Sequence, residues 1–258
     1  MVVGLIGAGN MARALARGWG DPVLCSDGGS GRARALAAEL GGEAFDSNLE
    51  VATRADLVVL CHKPYQLEQV ASEIADEAKA VASVLGGTSV AMLQGAYPRS
   101  PVFKLMPNTP VEVRQGVTLY SPAQGNPPVR GVPADLERDV IALFERVGTV
   151  VTLEERLMEA AAAIMSVGPA YQALLAEAQV DAGVRHGLRP DVAGPLVAQT
   201  MAGSAALLQS RDYDTLAVRR GVTSPGGSTA RGIAALEAAG IRTAFQSAMD
   251  AVILGGAR

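Results

Sequence analysis

The stretch Gly7-Ala8-Gly9-Asn10-Met11-Ala12 constrains the fold of this chain more than any other. It follows the strand-like run Val2-Val3-Gly4-Leu5-Ile6 and opens a helical stretch from Asn10 to Gly18. It fits the pattern G-x-G-x-x-G/A, with alanine in the third place. The first glycine permits a tight turn, the second lets backbone approach a pyrophosphate, and the small third residue lets the helix pack on the strand. The helix N-terminus adds free N–H groups and the positive end of a dipole. A glycine turn can also be a plain connector. The strand before it and the helix after it favour the dinucleotide reading.

The rest of the first half repeats the same alternation. Val23 to Ser26, Leu57 to Cys61, Val81 to Leu85, Val102 to Met106, Val117 to Tyr120 and Thr149 to Leu153 read as strands. Arg32 to Leu40, Pro64 to about Ala80 and Ala134 to Arg146 read as helices, and Ser121 to Pro133 as a loop. Leu57 to Cys61 is apolar throughout, as expected of a strand covered on both faces. Such βαβ alternation predicts an α/β fold with a Rossmann-like, doubly wound, mostly parallel sheet. After Glu154 strand signals stop. Ala/Leu/Met-rich helical stretches follow at roughly Arg156 to His186, Asp191 to Gln209 and Thr229 to Leu254, with a break expected at Ser166-Val167-Gly168-Pro169. The expected boundary lies after Leu153, giving a dinucleotide-binding domain over 1–153 and an all-α domain over 154–258.

Composition narrows the function. At 258 residues the chain can bury a core without staples. The net charge is −4, and nothing in the sequence suggests the basic face of a nucleic-acid binder. The two cysteines, Cys25 and Cys61, lie in strand-like runs and read as reduced thiols of a cytoplasmic protein. The two histidines, His62 and His186, are far apart and argue against a histidine-rich metal site. Mean hydropathy is +0.22, yet no apolar run reaches the roughly 18 residues a membrane span needs. The start of the chain has no leader pattern. Surplus apolar surface without a span points to a large subunit interface.

Two further places carry chemistry. Asp27, at the end of the second strand, can accept from the ribose hydroxyls of NAD, whereas Ser26, Ser30 and Arg32 can hold the 2′-phosphate of NADP. The alternative is a simple capped loop over Asp27-Gly28-Gly29-Ser30-Gly31. Val222-Thr223-Ser224-Pro225-Gly226-Gly227-Ser228-Thr229 precedes the last helical stretch. Its glycines free the backbone to present N–H groups, which makes it an anion cradle that a carboxylate would fit, or else an ordinary helix start.

With both loops in view, the sequence resembles pyrroline-5-carboxylate reductases along essentially its whole length. The resemblance rests on VTSPGGST at Val222 to Thr229 and EAQVDAGVRHGL at Glu177 to Leu188. SVGPAY at Ser166 to Tyr171, MPNTP at Met106 to Pro110, QTMAGSA at Gln199 to Ala205 and the opening GLIGAGNMA support it. It implies a nicotinamide-binding domain followed by a helical dimerisation domain, and reduction of (S)-1-pyrroline-5-carboxylate to L-proline with NADP(H) or NAD(H). It also implies interlocked homodimers, assembled in many members into decamers.

Position by position, the resemblance places Gly7, Gly9, Asn10 and Met11 at the pyrophosphate, and Ser26 and Asp27 at the ribose or 2′-phosphate. Asn48 matches a cofactor-contacting asparagine, and His62-Lys63-Pro64 a Val-Lys-Pro turn over the cofactor, with histidine in place of valine. Gly86 and Asn108 fall near the nicotinamide. For the cyclic imino acid, the N–H groups of Gly227, Ser228 and Thr229 would receive the carboxylate and the Thr229 hydroxyl would reach the ring nitrogen. Glu155 matches an acidic residue near the site. Val218-Arg219-Arg220-Gly221 departs from the usual Leu-Lys-Asp and polar residue, and Val167 replaces the usual glycine of SGSGPAY.

The chemistry implied asks little of side chains. A protonated cyclic imine accepts hydride from nicotinamide C4, and the protein must align the two carbons at about 3–3.5 Å. One rival is an oxidoreductase of the same architecture acting on another imine or a 2-hydroxy acid. The latter would be expected to carry a lysine base on the first long helix, and Leu157 to Gln179 contains none. The other rival is a nucleotide-sensing dimer without catalysis, which would not need an intact second loop.

Overall fold

The computed structural model describes residues 1–122 and 133–255. The chain forms two compact units, Met1–Pro169 and Ala170–Arg258. The first unit begins β1 (Val3–Ile6), α1 (Asn10–Trp19), β2 (Leu24–Ser26), α2 (Arg32–Leu40), β3 (Glu43–Ala44), α3 (Asn48–Arg54) and β4 (Leu57–Leu60). It continues with α4 (Leu67–Ile74), β5 (Val81–Ser83), α5 (Val90–Ala96), β6 (Val102–Pro107), β7 (Gly116–Ser121), α6 (Ala134–Glu145), β8 (Gly148–Thr152) and α7 (Met158–Met165). Helix α8 (Gly168–Arg185) starts at its end, and the second unit holds α9 (Pro190–Gln209), α10 (Thr215–Gly221), α11 (Ser228–Ala238) and α12 (Ile241–Gly255). Most of the predicted loop from Ser121 to Pro133 lies outside the described residues.

Among the described residues one sheet has eight strands in the order β3-β2-β1-β4-β5-β6-β7-β8. Neighbours are parallel except β6 and β7. The strand order reverses between β1 and β4, and a doubly wound sheet opens its ligand crevice there, beyond the carboxyl ends of the strands. Strand β4 shows why its residues are apolar throughout. Leu57 and Val59 join the apolar cluster containing Leu15, Trp19 and Phe144, while Val58 and Leu60 join that of Val51, Leu67 and Ile74. Successive side chains of a strand point to opposite faces, so both must be apolar when both are covered. The Trp19 indole N–H donates to Leu143 O at 3.0 Å, and its ring meets Phe144 edge-on at 5.6 Å.

The predicted sheet is present, and the break at Ser166-Val167 separates α7 from α8. Three short helices of the first unit, α3, α5 and the 3-10 turn Thr109–Val113, escaped the sequence reading. Ser47 caps α3 and Ser89 caps α5 through their hydroxyls. These helices are under three turns, too short for a periodic pattern to stand out. The helix expected from Pro64 to Ala80 is a 3-10 turn at Pro64–Gln66 followed by α4, which stops at Ile74 so that the chain can extend into β5. In the second unit, Gly240, at φ 79°, divides the last stretch into α11 and α12. Helix α10 was not expected, and Asp214 caps it through the N–H groups of Leu216 and Ala217. Among the described residues no helix is long and apolar enough to cross a membrane.

Candidate functional site

A cleft of about 750 Å³ opens at the carboxyl ends of β1, β2 and β4. Gly7, Ala8 and Gly9 form its floor. Gly7 has φ +95°, and a Cβ there would lie 2.7 Å from the Cys61 carbonyl carbon and the His62 nitrogen. Only glycine allows both that turn and that approach of β1 to β4. A Cβ on Gly9 would meet nothing within 4 Å, because it faces the open cleft. Gly9 is the N-cap of α1 and offers no side-chain cap. The first N–H groups of α1 therefore have no acceptor in the helix and are free for an anion. Met11 turns its side chain against the core, so its part in any phosphate site is played by backbone.

The ribose end is more closely tied than its sequence suggests. The Asp27 carboxylate accepts from Gly29 N–H at 3.1 Å, Ser30 Oγ–H at 2.5 Å and Ala33 N–H at 2.9 Å. It thereby folds the Gly28–Gly31 turn and caps α2. Burial opposes ionisation of Asp27, but the hydrogen bonds from Ser30, Ala33, Arg32 and Gly29 outweigh it and hold the carboxyl below its ordinary value. Ser30 and Arg32 line the cleft beside Asp27. Ser26 does not line it: its buried hydroxyl donates to Asn48 Oδ1 at 2.6 Å. Asn48 lines the cleft, and its amide donates to Glu73 Oε2 at 2.6 Å.

Cys61, His62 and Lys63 form the opposite wall, and Pro64 opens the 3-10 turn after them. Lys63 N–H donates to Gln66 Oε1 at 3.1 Å, which fixes that turn. His62 Nδ1 lies 2.9 Å from Lys63 O. A carbonyl oxygen only accepts, so Nδ1 carries the hydrogen of the neutral ring. Nε2 is buried without a protein partner. Burial pulls the imidazole below its ordinary pKa, against smaller upward effects from Lys63 O and Glu73. Burial also pushes the Cys61 thiol up to about 12, which leaves it unreactive. A glycine floor, open N–H groups at α1, a serine and an arginine at the ribose end and an orphaned imidazole nitrogen together fit a dinucleotide.

Gly86, Asn108 and Glu155 lie outside the lining of this cleft. Gly86 belongs to the turn after β5, and the space beside it is open to 4 Å. Asn108 is buried, donating to Met165 O at 3.0 Å and accepting from Val117 N–H at 2.8 Å. Its side chain pins the end of β6 to β7 and α7. Glu155 Oε1 accepts from Val90 N–H at 2.6 Å, at the start of α5. Near it lies a residue the sequence reading passed over, Lys104 on β6, only 4% exposed. Its ammonium donates to Leu85 O at 3.3 Å, to Thr88 Oγ1 at 3.3 Å and to Thr88 O. The signal was a single charge inside the apolar run Val102-Phe103-Lys104-Leu105-Met106.

The second unit holds the glycine loop before α11. Gly226 has φ +69°, and Gly227 is the N-cap. A Cβ on Gly227 would collide with the Ser224 hydroxyl. Of the three N–H groups expected to meet a carboxylate, that of Gly227 donates to Ser224 O at 3.1 Å. Those of Ser228, Thr229 and Ala230 form the first turn of α11, where no intrahelical acceptor exists. Arg231 Nη1 donates to Gly226 O at 2.7 Å and braces the loop. Thr229 is half-buried. Among the described residues no His, Cys, Asp and Glu group together as a metal site.

The chain matches two family models, pyrroline-5-carboxylate reductase dimerisation over residues 155–255 and coenzyme F420-dependent NADP oxidoreductase over residues 2–87. It is 34% identical to a pyrroline-5-carboxylate reductase of Pseudomonas aeruginosa, across 96% of this chain and 93% of that one. Its fold is similar to the reductase structure from Coxiella burnetii, with a TM-score of 0.83 at 30% identity, covering 97% of this chain and 95% of the other. It is also similar to the Plasmodium falciparum pyrroline carboxylate reductase with NADP bound, with a TM-score of 0.85 at 27% identity, covering 99% of this chain and 96% of the other.

Proposed function

The chain belongs to the pyrroline-5-carboxylate reductase family, and on that premise we propose how its residues divide the work. It is an NAD(P)-dependent oxidoreductase that reduces (S)-1-pyrroline-5-carboxylate to L-proline, the last step of proline biosynthesis. One observation carries this conclusion, the 34% identity to a reductase over nearly the full length of both chains.

The dinucleotide, when bound, supplies the hydride. Gly7 and Gly9 bring backbone close to its pyrophosphate, and the N–H groups of Asn10 and Met11 receive the charge. Asp27, with Ser26 and Asn48 behind it, shapes the ribose end, and His62-Lys63-Pro64 walls the other side. A carboxyl-end crevice running from β1 past β4 leads next to β5, so the turn holding Gly86 flanks the nicotinamide end. Asn108 holds the strand beneath.

The loop before α11 is the substrate cradle. The N–H groups of Ser228 and Thr229 take the carboxylate, supported by the dipole of α11. Gly227 lets the loop close on itself, and the Thr229 hydroxyl bonds the ring nitrogen. Glu155, which matches an acidic residue near the site in the family, is assigned to substrate binding. Clamping a cyclic imine at its carboxylate and its nitrogen leaves one orientation for the imine carbon, which is most of what hydride transfer requires. The proton on nitrogen is present on the bound iminium or arrives from water or Thr229.

The functional division falls after Leu153, with cofactor work in 1–153 and substrate binding and dimerisation in 154–258. The dimerisation model over residues 155–255 supports oligomer formation. The finer reading proposed here is an interlocked homodimer, assembled into decamers, in the cytoplasm.

The test is NADPH and NADH oxidation with pyrroline-5-carboxylate, run in parallel. Turnover is expected with both, and their ratio reads whether Asp27 or the Ser30/Arg32 side governs the ribose. No turnover by protein that binds the cofactor would overturn the reading. Thr229→Ala is expected to lower kcat/KM on the order of 100-fold, the usual loss for one donor at a reacting atom. Full activity in that variant would remove Thr229 from the mechanism.

A further inference from the structure

We propose that Lys104 is a positioning residue for hydride transfer, its buried ammonium holding the turn from Leu85 to Thr88 that flanks the nicotinamide end of the bound dinucleotide. This rests on the reductase reading above.

Lys104 stands on an interior strand, paired in register with Ser83 of β5 on one side and Ser121 of β7 on the other. Both serines are buried, so the lysine sits in a short polar seam that crosses three strands. Burying an ammonium costs several kcal/mol unless its hydrogen bonds are met. Here they are met by one segment alone, through Leu85 O, Thr88 O and Thr88 Oγ1. The Thr88 hydroxyl in turn donates to Leu85 O at 2.9 Å, closing the turn on itself. Just beyond, Glu155 grips Val90 N–H at 2.6 Å. One cation below and one anion alongside therefore fix both ends of the segment that carries Gly86 and Gly87.

Leu85 is also held by apolar packing and by its N–H on Ser83 Oγ at 3.3 Å, but the two residues after it have no side chain to anchor them. It carries two consecutive glycines, and Gly87 has φ +72°. The space beside Gly86 is open, as a planar ring would need on approach. A flexible pair of glycines at the reacting end of a cofactor would let the ring wander, and misplacement by about 1 Å can cost on the order of 100-fold in rate. All the acceptors of this charge lie on the one turn, so what it fixes is the place of that turn.

Burial lowers the Lys104 pKa, with Glu155 acting in the opposite direction. Ser83 on β5, Ser121 on β7 and Thr88 on the turn face it without charge, and Glu155 is the carboxylate that acts on it. Deprotonation at alkaline pH weakens the grip on the turn, so kcat falls on the alkaline side.

The experiment compares wild type, K104M, K104R and E155Q by kcat, KM, pH profile, NADPH binding by fluorescence, and amide exchange of the peptide over 84–90. K104M should lose on the order of 100-fold in kcat, with NADPH affinity nearly unchanged and exchange at 84–90 faster while that at 7–12 holds. K104R, which stays charged, should keep most of kcat and lose the alkaline limb. E155Q should move that limb to lower pH. Wild-type kcat in K104M overturns the inference alone, while no turnover of pyrroline-5-carboxylate by wild type overturns the reductase reading and this with it. Should K104M fail to fold, an alkaline limb unmoved in both K104R and E155Q overturns the inference.

Discussion

The two units differ in where their apolar side chains go. In the first, both faces of the sheet are covered, and Phe103, Phe144, Leu57 and Leu60 are fully buried within one chain. In the second, Ala193 is the one buried residue of α9, and α8, α10, α11 and α12 have none among the described residues. Leu174, Leu196, Leu236 and Leu254 are more than half exposed. The first unit satisfies its hydrophobic surface by itself. The second carries the same kind of residue without covering it, as a unit whose core is completed by another copy would. The match to a dimerisation model over 155–255 agrees with that reading. Local structure is equally well formed in both, so the difference lies in tertiary packing alone.

Truncating one phenylalanine in each unit should separate them most. Phe144 is 0% exposed and Phe245 43% exposed. Phe144→Ala should lower unfolding stability by about 3–5 kcal/mol at any protein concentration. Phe245→Ala should act mainly through assembly, with a midpoint that depends on concentration. Denaturant titration at several concentrations checks both, and equal, concentration-independent losses would break the comparison.

The two glycine loops offer the next contrast. Gly7→Ala forces a side chain onto the backbone of Cys61 and His62 at φ +95°. The expected loss is about 2–4 kcal/mol, with cofactor binding abolished. Gly227→Ala meets the movable Ser224 side chain first. It should cost less stability and show instead as a raised KM for the imine, read by steady-state kinetics.

Helix caps should not distinguish the units. Ser47→Ala in the first and Asp214→Ala in the second each remove a side-chain cap and should each cost about 1 kcal/mol by thermal unfolding. A much larger loss at Asp214 would mean that α10 supports more than itself.

The smallest effect is a pH dependence. Burial makes the folded His62 harder to protonate than the unfolded one. The unfolded chain therefore binds more protons as pH falls below about 6.5. The stability contribution is intact above that value and declines on the acid side. In His62→Val the decline on the acid side of about pH 6.5 should be shallower, measured by denaturation midpoints. Parallel curves would show that His62 protonates equally in both states.

Much of this protein was legible in its residues because the signals are local. A glycine turn between strand and helix, a fully apolar strand at Leu57–Leu60 and a proline break near Pro169 each act within a few residues. In the VTSPGGST loop Gly226 takes a left-handed backbone and Gly227 a close approach to Ser224, both of which act within a few residues. What escaped was non-local or short. The donors that take the Asp27 carboxylate are local, as the capped-loop alternative has it, but nothing near Asn48 in sequence shows that it bridges Ser26 to Glu73. Nor does the sequence around Asn108, expected near the nicotinamide, show that its side chain locks β6 to its neighbours.

The sequence by itself determined the order of the elements, the α/β character of the first unit, the helical character of the second and the two glycine loops. Those follow from periodicity, glycine and proline, which work through neighbouring bonds. Only the tertiary structure decided which polar side chains face the cleft and which are consumed in holding it. That depends on pairing across strands, as when Lys104 on β6 meets a turn nineteen and sixteen residues earlier in the chain. A buried charge must find its acceptors wherever the fold brings them, and sequence distance carries no record of that.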